Sequence, residues 1–233
     1  QACNADYVAN LQASPIKDLP ADTERGLVDM HSVIASVQKH LPLDAVLTNG
    51  AGNFASWLHR FYRYSGLAKG LKTQLAPTNG AMGYGVPAGI AAAITSKASP
   101  AAAGQGRVVF TIAGDGDFLM NGQELATAVQ HGAKTIILLL NNGMYGTIRM
   151  HQEREYPQHV AGAGTALHNP DFAALARAYG YAGVRIQRTA EFEAELLAAL
   201  ERPEGTLIEV MLEPELISTR VSLSGITQAA LKR

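Results

Sequence analysis

RVVFTIAGDGDFLMNGQELATAVQHGAKTIILLLNN, residues 107–142, decides the fold. Residues 107–113 form a short apolar run that ends in Gly114-Asp115-Gly116, and residues 135–140 form a second that ends in Asn141-Asn142. Between them QELATAVQH reads as a helix, with Asn121 three residues before Glu124 in an N-cap pattern. Strands without polar alternation are buried on both faces. Two of them joined by a helix predict a parallel pair in a covered sheet.

The same alternation extends in both directions. Toward the N-terminus, the strand Ala45–Thr48 runs into Gly50-Ala51-Gly52, and a helix is expected from about Asn53 to Tyr64. An alanine-rich helix follows at 85–97, then an alanine–glycine loop around 98–106. Further upstream Leu27, Met30, Ile34, Val37 and Leu41 recur at helical spacing, and Pro42 stops that helix. Toward the C-terminus, Asn169-Pro170 opens a helix at 171–179 in the cap-then-proline manner. A strand at 182–187, a helix at 190–201 and a strand at 206–212 complete the pattern. The fold class is α/β, a parallel sheet with helices on both faces. Residues 27–217 read as the domain, 1–26 as a link from a preceding domain, and 218–233 as a C-terminal tail.

Composition narrows the function classes. Of 233 residues 47% are hydrophobic, so a large core is available and disorder is excluded. Lys+Arg number 19 against 20 Asp+Glu, which argues against a general nucleic-acid binder. No apolar run approaches the roughly 18 residues of a membrane span, and QACNADYVAN lacks the shape of a signal peptide. Cys3 stands alone, so no disulfide or cysteine-ligated cluster forms within this sequence, and a reducing, cytoplasmic compartment is expected. The balanced charge is unevenly laid out. No Asp or Glu falls between Asp44 and Asp115, whereas Arg60, Arg63, Lys69, Lys72, Lys97 and Arg107 do, among many glycines. Free backbone amides beside cations favour an anion, although a closely packed Gly/Ala helix gives the same composition.

In an open parallel sheet, ligands bind beyond the carboxyl ends of the strands. Gly50–Asn53, Gly114–Asp117 and Asn141–Met144 occupy such ends. Each alone also reads as an ordinary turn. Together, the Asp115 carboxylate and the Asn142 carboxamide supply hard oxygen donors that suit Mg²⁺ completed by phosphate oxygens and water.

The stretch GDGDFLMNGQELATAVQHGAKTIILLLNN resembles the thiamine diphosphate-binding motif, and TNGAMGYGVPAGIAAAI resembles the matching stretch of acetolactate synthase-like enzymes. The resemblance spans about residues 27–217. It implies Mg²⁺ held by Asp115, Asn142 and the Met144 carbonyl, bridging to the cofactor diphosphate. It places Gly114, Gly116, Asp117, Tyr145 and Gly146 around that diphosphate, with Gly52, Asn53 and Phe54. The Gly80 carbonyl and Met82 amide would meet the aminopyrimidine, with the Met82 side chain wedged under the bent cofactor. Thr147, Ile148 and His151 would line the substrate pocket, where acetolactate synthases typically carry tryptophan in place of His151.

The resemblance further implies that the activating glutamate lies in a separate pyrimidine-binding domain, so no catalytic residue is assigned to this chain. The expected function is the C-terminal diphosphate- and Mg²⁺-binding domain of a decarboxylase or carboligase, a lyase or transferase acting on a 2-oxo acid. Such a chain is inactive alone and assembles as a homo-oligomer, a dimer or tetramer. Two alternatives stay open. One is a NAD-binding oxidoreductase domain, since AVLTNGAGNFA is a strand followed by G-x-G-x-x-A, but no acid follows until Asp115 to hold the ribose hydroxyls. The other is a non-catalytic regulatory module with a retained cofactor fold. Segment 151–169, with His159 and His168, is long enough to form a lid.

Overall fold

Successive side chains of a strand point to opposite faces, so an uninterrupted apolar run supplies two cores at once. The computed structural model, which describes residues 2–12, 16, 28–64, 66–98, 106–159 and 164–233, shows this arrangement. Six strands, β1 (Val46–Asn49), β2 (Gln74–Leu75), β3 (Val109–Gly114), β4 (Ile136–Asn141), β5 (Ala182–Ile186) and β6 (Thr206–Met211), lie parallel in the order β2-β1-β3-β4-β6-β5. The helices are α1 (Ala2–Leu11), α2 (Met30–His40), α3 (Ala55–Phe61), α4 (Gly85–Lys97), α5 (Asp115–Asn121), α6 (Leu125–Gln130), α7 (Gly146–Glu155), α8 (Phe172–Ala178), α9 (Thr189–Glu201) and α10 (Leu223–Leu231).

Phe110, Ile112, Ile136, Leu138, Leu140, Ile208 and Val210 face one way, under α2, α3 and α9, with Ile34, Leu58 and Leu196. Val109, Ala113, Ile137, Leu139 and Leu207 face the other way, under α4, α5, α6 and α8, with Ile90, Phe118, Leu125 and Phe172. The alanine-rich composition of α4 reflects close approach. A Cβ on Gly85 would lie 2.6 Å from the Gly50 nitrogen and 2.8 Å from the Asn49 carbonyl carbon.

Several boundaries differ from expectation. Leu27, most of the loop at 98–106 and much of 1–26 lie outside the described residues, but α1 falls within that first segment. β2 is a two-residue exposed edge strand with no apolar run to announce it. Asn121 caps nothing: α5 begins directly at Asp115, and the Asn121 amide donates to the Gly83 carbonyl at 3.0 Å. Nor does Asn169 cap α8. Asp171 does, accepting from the Ala174 nitrogen at 2.8 Å. Within 218–233, α10 packs on α7, where Thr227 Oγ1 donates to the buried Glu153 at 2.9 Å.

The chain leaves β1 toward β2 on one side and returns to β3 on the other. The strand order therefore switches direction between β1 and β3, where a parallel sheet opens a crevice at its carboxyl edge.

Candidate functional site

At that crevice β3 runs into α5 without a loop, which sets Asp115, Gly116 and Asp117 in the first helical turn. One strand over, β4 ends at Asn141 and the chain turns through Asn142–Tyr145 into α7. The returning segment clamps this turn: the Tyr145 nitrogen donates to the Thr165 carbonyl and the Leu167 nitrogen to the Gly143 carbonyl, each at 2.8 Å. The expected lid segment is thus helix in its first part, and its end is bonded to the turn at 143–145.

An open cleft results. Gly52, Asn53, Phe54, Met82, Gly114, Asp115, Gly116, Asp117, Asn142, Met144, Tyr145 and Gly146 all line it, as do Thr147 and Ile148. Two predicted residues do not. Gly80 borders an adjoining hollow with Arg60, His59 and Arg220, and His151 lies further along α7, exposed. The apolar floor formed by Trp57, Leu140, Leu212, Leu216 and Ile217 was not assigned to the site from sequence.

Asp115 is buried, and its two oxygens are aimed by separate donors. Oδ1 accepts from the Gly116 nitrogen at 2.9 Å; Oδ2 accepts from the Gly143 nitrogen and from Asn169 Nδ2, each at 2.8 Å. Burial pushes the Asp115 carboxyl up from the usual range, against those three bonds. Among the described residues lining the cleft none is Lys, Arg or His, so no cation of the protein balances the charge there. Nor do three His, Cys, Asp or Glu side chains cluster as a metal set among the described residues. The oxygen donors present are of mixed kind: a carboxylate from Asp115, a carboxamide from Asn142 and the carbonyl of Met144. This set fits a hard divalent ion that keeps open positions for phosphate and water, and it suits Mg²⁺ better than a soft or nitrogen-preferring metal.

Asp117 is held by a different set of donors. Its Oδ1 accepts from the Ala51 nitrogen at 3.1 Å and the Gly83 nitrogen at 2.8 Å, joining the β1 turn to the loop that carries Met82. Its Oδ2 is buried without a partner, and burial lifts the carboxyl to about 6. Gly83 sits at φ +81°, a conformation that suits glycine and aims its amide at Asp117. Small residues keep the cleft open. A Cβ on Gly114 would lie 2.7 Å from the Phe54 ring, and one on Gly116 would lie 2.6 Å from the Tyr145 ring. The α7 end of the cleft is tied to the β1 turn, because the Asn53 nitrogen donates to Thr147 Oγ1 at 2.8 Å. Asn53 Nδ2 in turn holds the Ile217 carbonyl at 3.1 Å.

The chain as a whole is similar to known proteins. Residues 50–210 match the family model described as thiamine pyrophosphate enzyme, C-terminal TPP binding domain. An acetolactate synthase large subunit of Parasynechococcus marenigrum is 32% identical over 197 residues, 84% of this chain and 29% of that protein. A probable acetolactate synthase large subunit of Methanocaldococcus jannaschii is 30% identical over 198 residues, 84% of this chain and 31% of its own length. The chain therefore spans about a third or less of these relatives. In fold it resembles the benzoylformate decarboxylase of Polynucleobacter necessarius, with a TM-score of 0.69 at 23% identity, over 89% of this chain and 37% of that one. The family match includes Gly50–Ala55, the turn that also fits a dinucleotide fingerprint, and lends the nicotinamide reading no support. On this match, which covers more than half of its length, the chain belongs to the thiamine pyrophosphate enzyme family and carries its C-terminal TPP-binding domain.

Proposed function

We propose that this chain holds the diphosphate and Mg²⁺ of thiamine diphosphate in an enzyme that decarboxylates a 2-oxo acid or joins it to a second carbonyl compound. The observation that carries the reading is the buried Asp115 carboxylate, which lines one cleft with Asn142 and Met144 and meets no basic residue among the described residues lining that cleft. Asp115, Asn142 and the Met144 carbonyl would hold the ion. Gly114 and Gly116 carry no side chain into the cleft, and α7 starts at Gly146 without a side-chain cap, so its first turn would receive diphosphate oxygens. Met82, in the same cleft, supplies an apolar body for the cofactor to fold over. Once bound, the cofactor supplies the carbon that adds to the 2-oxo acid and the electron sink that lets CO₂ leave.

A pyrimidine-binding domain, from the same protein or a partner subunit, completes the site in a homo-oligomer of two or four copies in the cytoplasm. Thr147 and Ile148 line the cleft and would meet the substrate there, whereas His151 lies exposed further along α7. Calorimetric titration of the full-length enzyme tests the reading. Thiamine diphosphate should bind only with Mg²⁺, and Asp115→Ala should weaken binding by about 100-fold, the equivalent of roughly 3 kcal/mol for a buried charge that loses its partner. Equal binding by Asp115→Ala, or binding of NADH instead, would refute it.

A further inference from the structure

The Asp115 carboxylate stands at one end of a polar chain that crosses the sheet edge. Asn169 Nδ2 donates to Asp115 Oδ2 and to Asn141 Oδ1, each at 2.8 Å. Asn141 Nδ2 donates to Glu209 Oε1 at 2.7 Å, and Arg185 Nε donates to Glu209 Oε2 at 2.8 Å. Glu209 is fully buried on β6, whereas Arg185 reaches solvent from β5 and also pairs with Asp171 at 3.5 Å.

The direction of every bond is forced. A carboxylate only accepts, so Asn141 must turn its NH₂ to Glu209 and Asn169 must turn its NH₂ to Asp115. The Asn141 oxygen then faces the remaining Asn169 hydrogen and the Gly143 nitrogen, which donates at 3.2 Å. Neither amide can flip without setting two acceptors against each other. Asn169 accepts this at a cost, since its own Oδ1 is buried without a partner. Helix capping does not explain the residue, because Asp171 already caps α8.

We infer that Asn169 is a positioning residue for the metal: through the Glu209–Asn141 relay it locks the rotation of the Asp115 carboxylate so that the oxygens keep one orientation toward the ion. The inference rests on Asp115 being a ligand, as proposed above. Partners that orient metal ligands typically contribute about 10–100-fold in metal affinity.

The test uses the full-length enzyme with thiamine diphosphate and Mn²⁺ as a paramagnetic probe of the Mg²⁺ site, read by electron paramagnetic resonance. Thermal unfolding of the metal-free protein is followed in parallel. Asn169→Ala should weaken Mn²⁺ binding by about 10–100-fold without lowering the metal-free melting temperature. Asn169→Asp keeps the shape but sets a carboxylate against Asp115 Oδ2 and the Asn141 oxygen, so it should weaken binding at least as much. Leu196→Ala, which opens a cavity in the core away from the relay, should lower the melting temperature and leave Mn²⁺ affinity unchanged. Wild-type affinity in both Asn169 variants would overturn the inference alone, as would affinity losses that track melting temperature across all three. Failure of the wild type to bind Mn²⁺ with the cofactor would overturn the cofactor reading, and this inference with it.

Discussion

The carboxyl edge of β3 and β4 and the seam between α2 and α9 are both well buried, yet they are held in opposite ways. At the edge, Asp115, Asp117, Asn141, Asn169 and Glu209 are fixed by directional bonds, and two of their oxygens, Asp117 Oδ2 and Asn169 Oδ1, have no partner. The seam is apolar: Met30, Val33, Ile34 and Val37 of α2 meet Phe192, Leu196 and Ala199 of α9. Burying a charge or an unpaired oxygen costs free energy, whereas burying a leucine contributes about 1.5–3 kcal/mol. The seam therefore carries stability that the edge gives up in order to hold fixed oxygens in a cleft. Changes at the seam should move stability and spare the cofactor; changes at the edge should reach the cofactor whether or not they also move stability.

The largest expected effect on stability comes from the seam. Leu196 is fully buried, so Leu196→Ala leaves a cavity and should cost about 2–5 kcal/mol in urea unfolding. Cofactor affinity of the protein that remains folded should match wild type. A loss of affinity as large as the loss of stability would show that the two regions are not independent.

Gly50 tests the edge itself. A Cβ there would lie 1.9 Å from Asp117 Oδ1, so Gly50→Ala must drive the carboxylate off the Ala51 and Gly83 amides. Two stranded donors predict about 1–3 kcal/mol of destabilisation, with weaker cofactor binding because both loops line the cleft or its neighbour. The clash needs both partners. Adding Gly50→Ala to Asp117→Ala should therefore cost much less than adding it to wild type, a coupling of about 0.5–3 kcal/mol in a double-mutant cycle. Strict additivity would mean that Asp117 does not meet the new methyl group.

The strands and the strand-end pair Asp115 and Asn142 were legible because each writes a local signal. A two-faced strand is a continuous apolar run, as at Ile136–Leu140, and Asp115 and Asn142 each follow such a run. What joins the site together is not local. Asn169 before Pro170 has the look of a cap, and only the tertiary fold shows that Asp171 does the capping and frees Asn169 for Asp115. Asn121 misled in the same way, since α5 needs no loop after β3 and the Asn121 amide serves Gly83. Glu209 did leave a trace: it is a lone acid inside TLIEVM, and an acid in a run that is otherwise core must find a partner. That partner, Arg185, stands on β5, the neighbouring strand, at a spacing no periodicity marks. The C-terminal helix α10 carries few buried residues of its own, Leu223 and Gly225, so its packing on α7 through Glu153 had no strong pattern to announce it.

The smallest effect lies on the solvent rim of the seam. Glu193 accepts from Lys39 Nζ at 2.8 Å and sits 2.6 Å from His40 Nε2, which holds its carboxyl down from 4.5 to about 2, the His40 bond contributing most. A carboxyl whose pKa is lower in the fold than in the unfolded chain stabilises the fold at any pH above the unfolded value. That contribution fades as pH falls from about 4.5 toward about 2, where both states are protonated. The pair is exposed and screened by salt, so Glu193→Gln should lower the melting temperature only slightly at neutral pH, and less in concentrated salt. The gap between variant and wild type should close on acidification across that window. A gap that stays constant down to the acid end would place the contribution of Glu193 in packing of its stem rather than in its charge, and the rim would then belong with the apolar seam it borders.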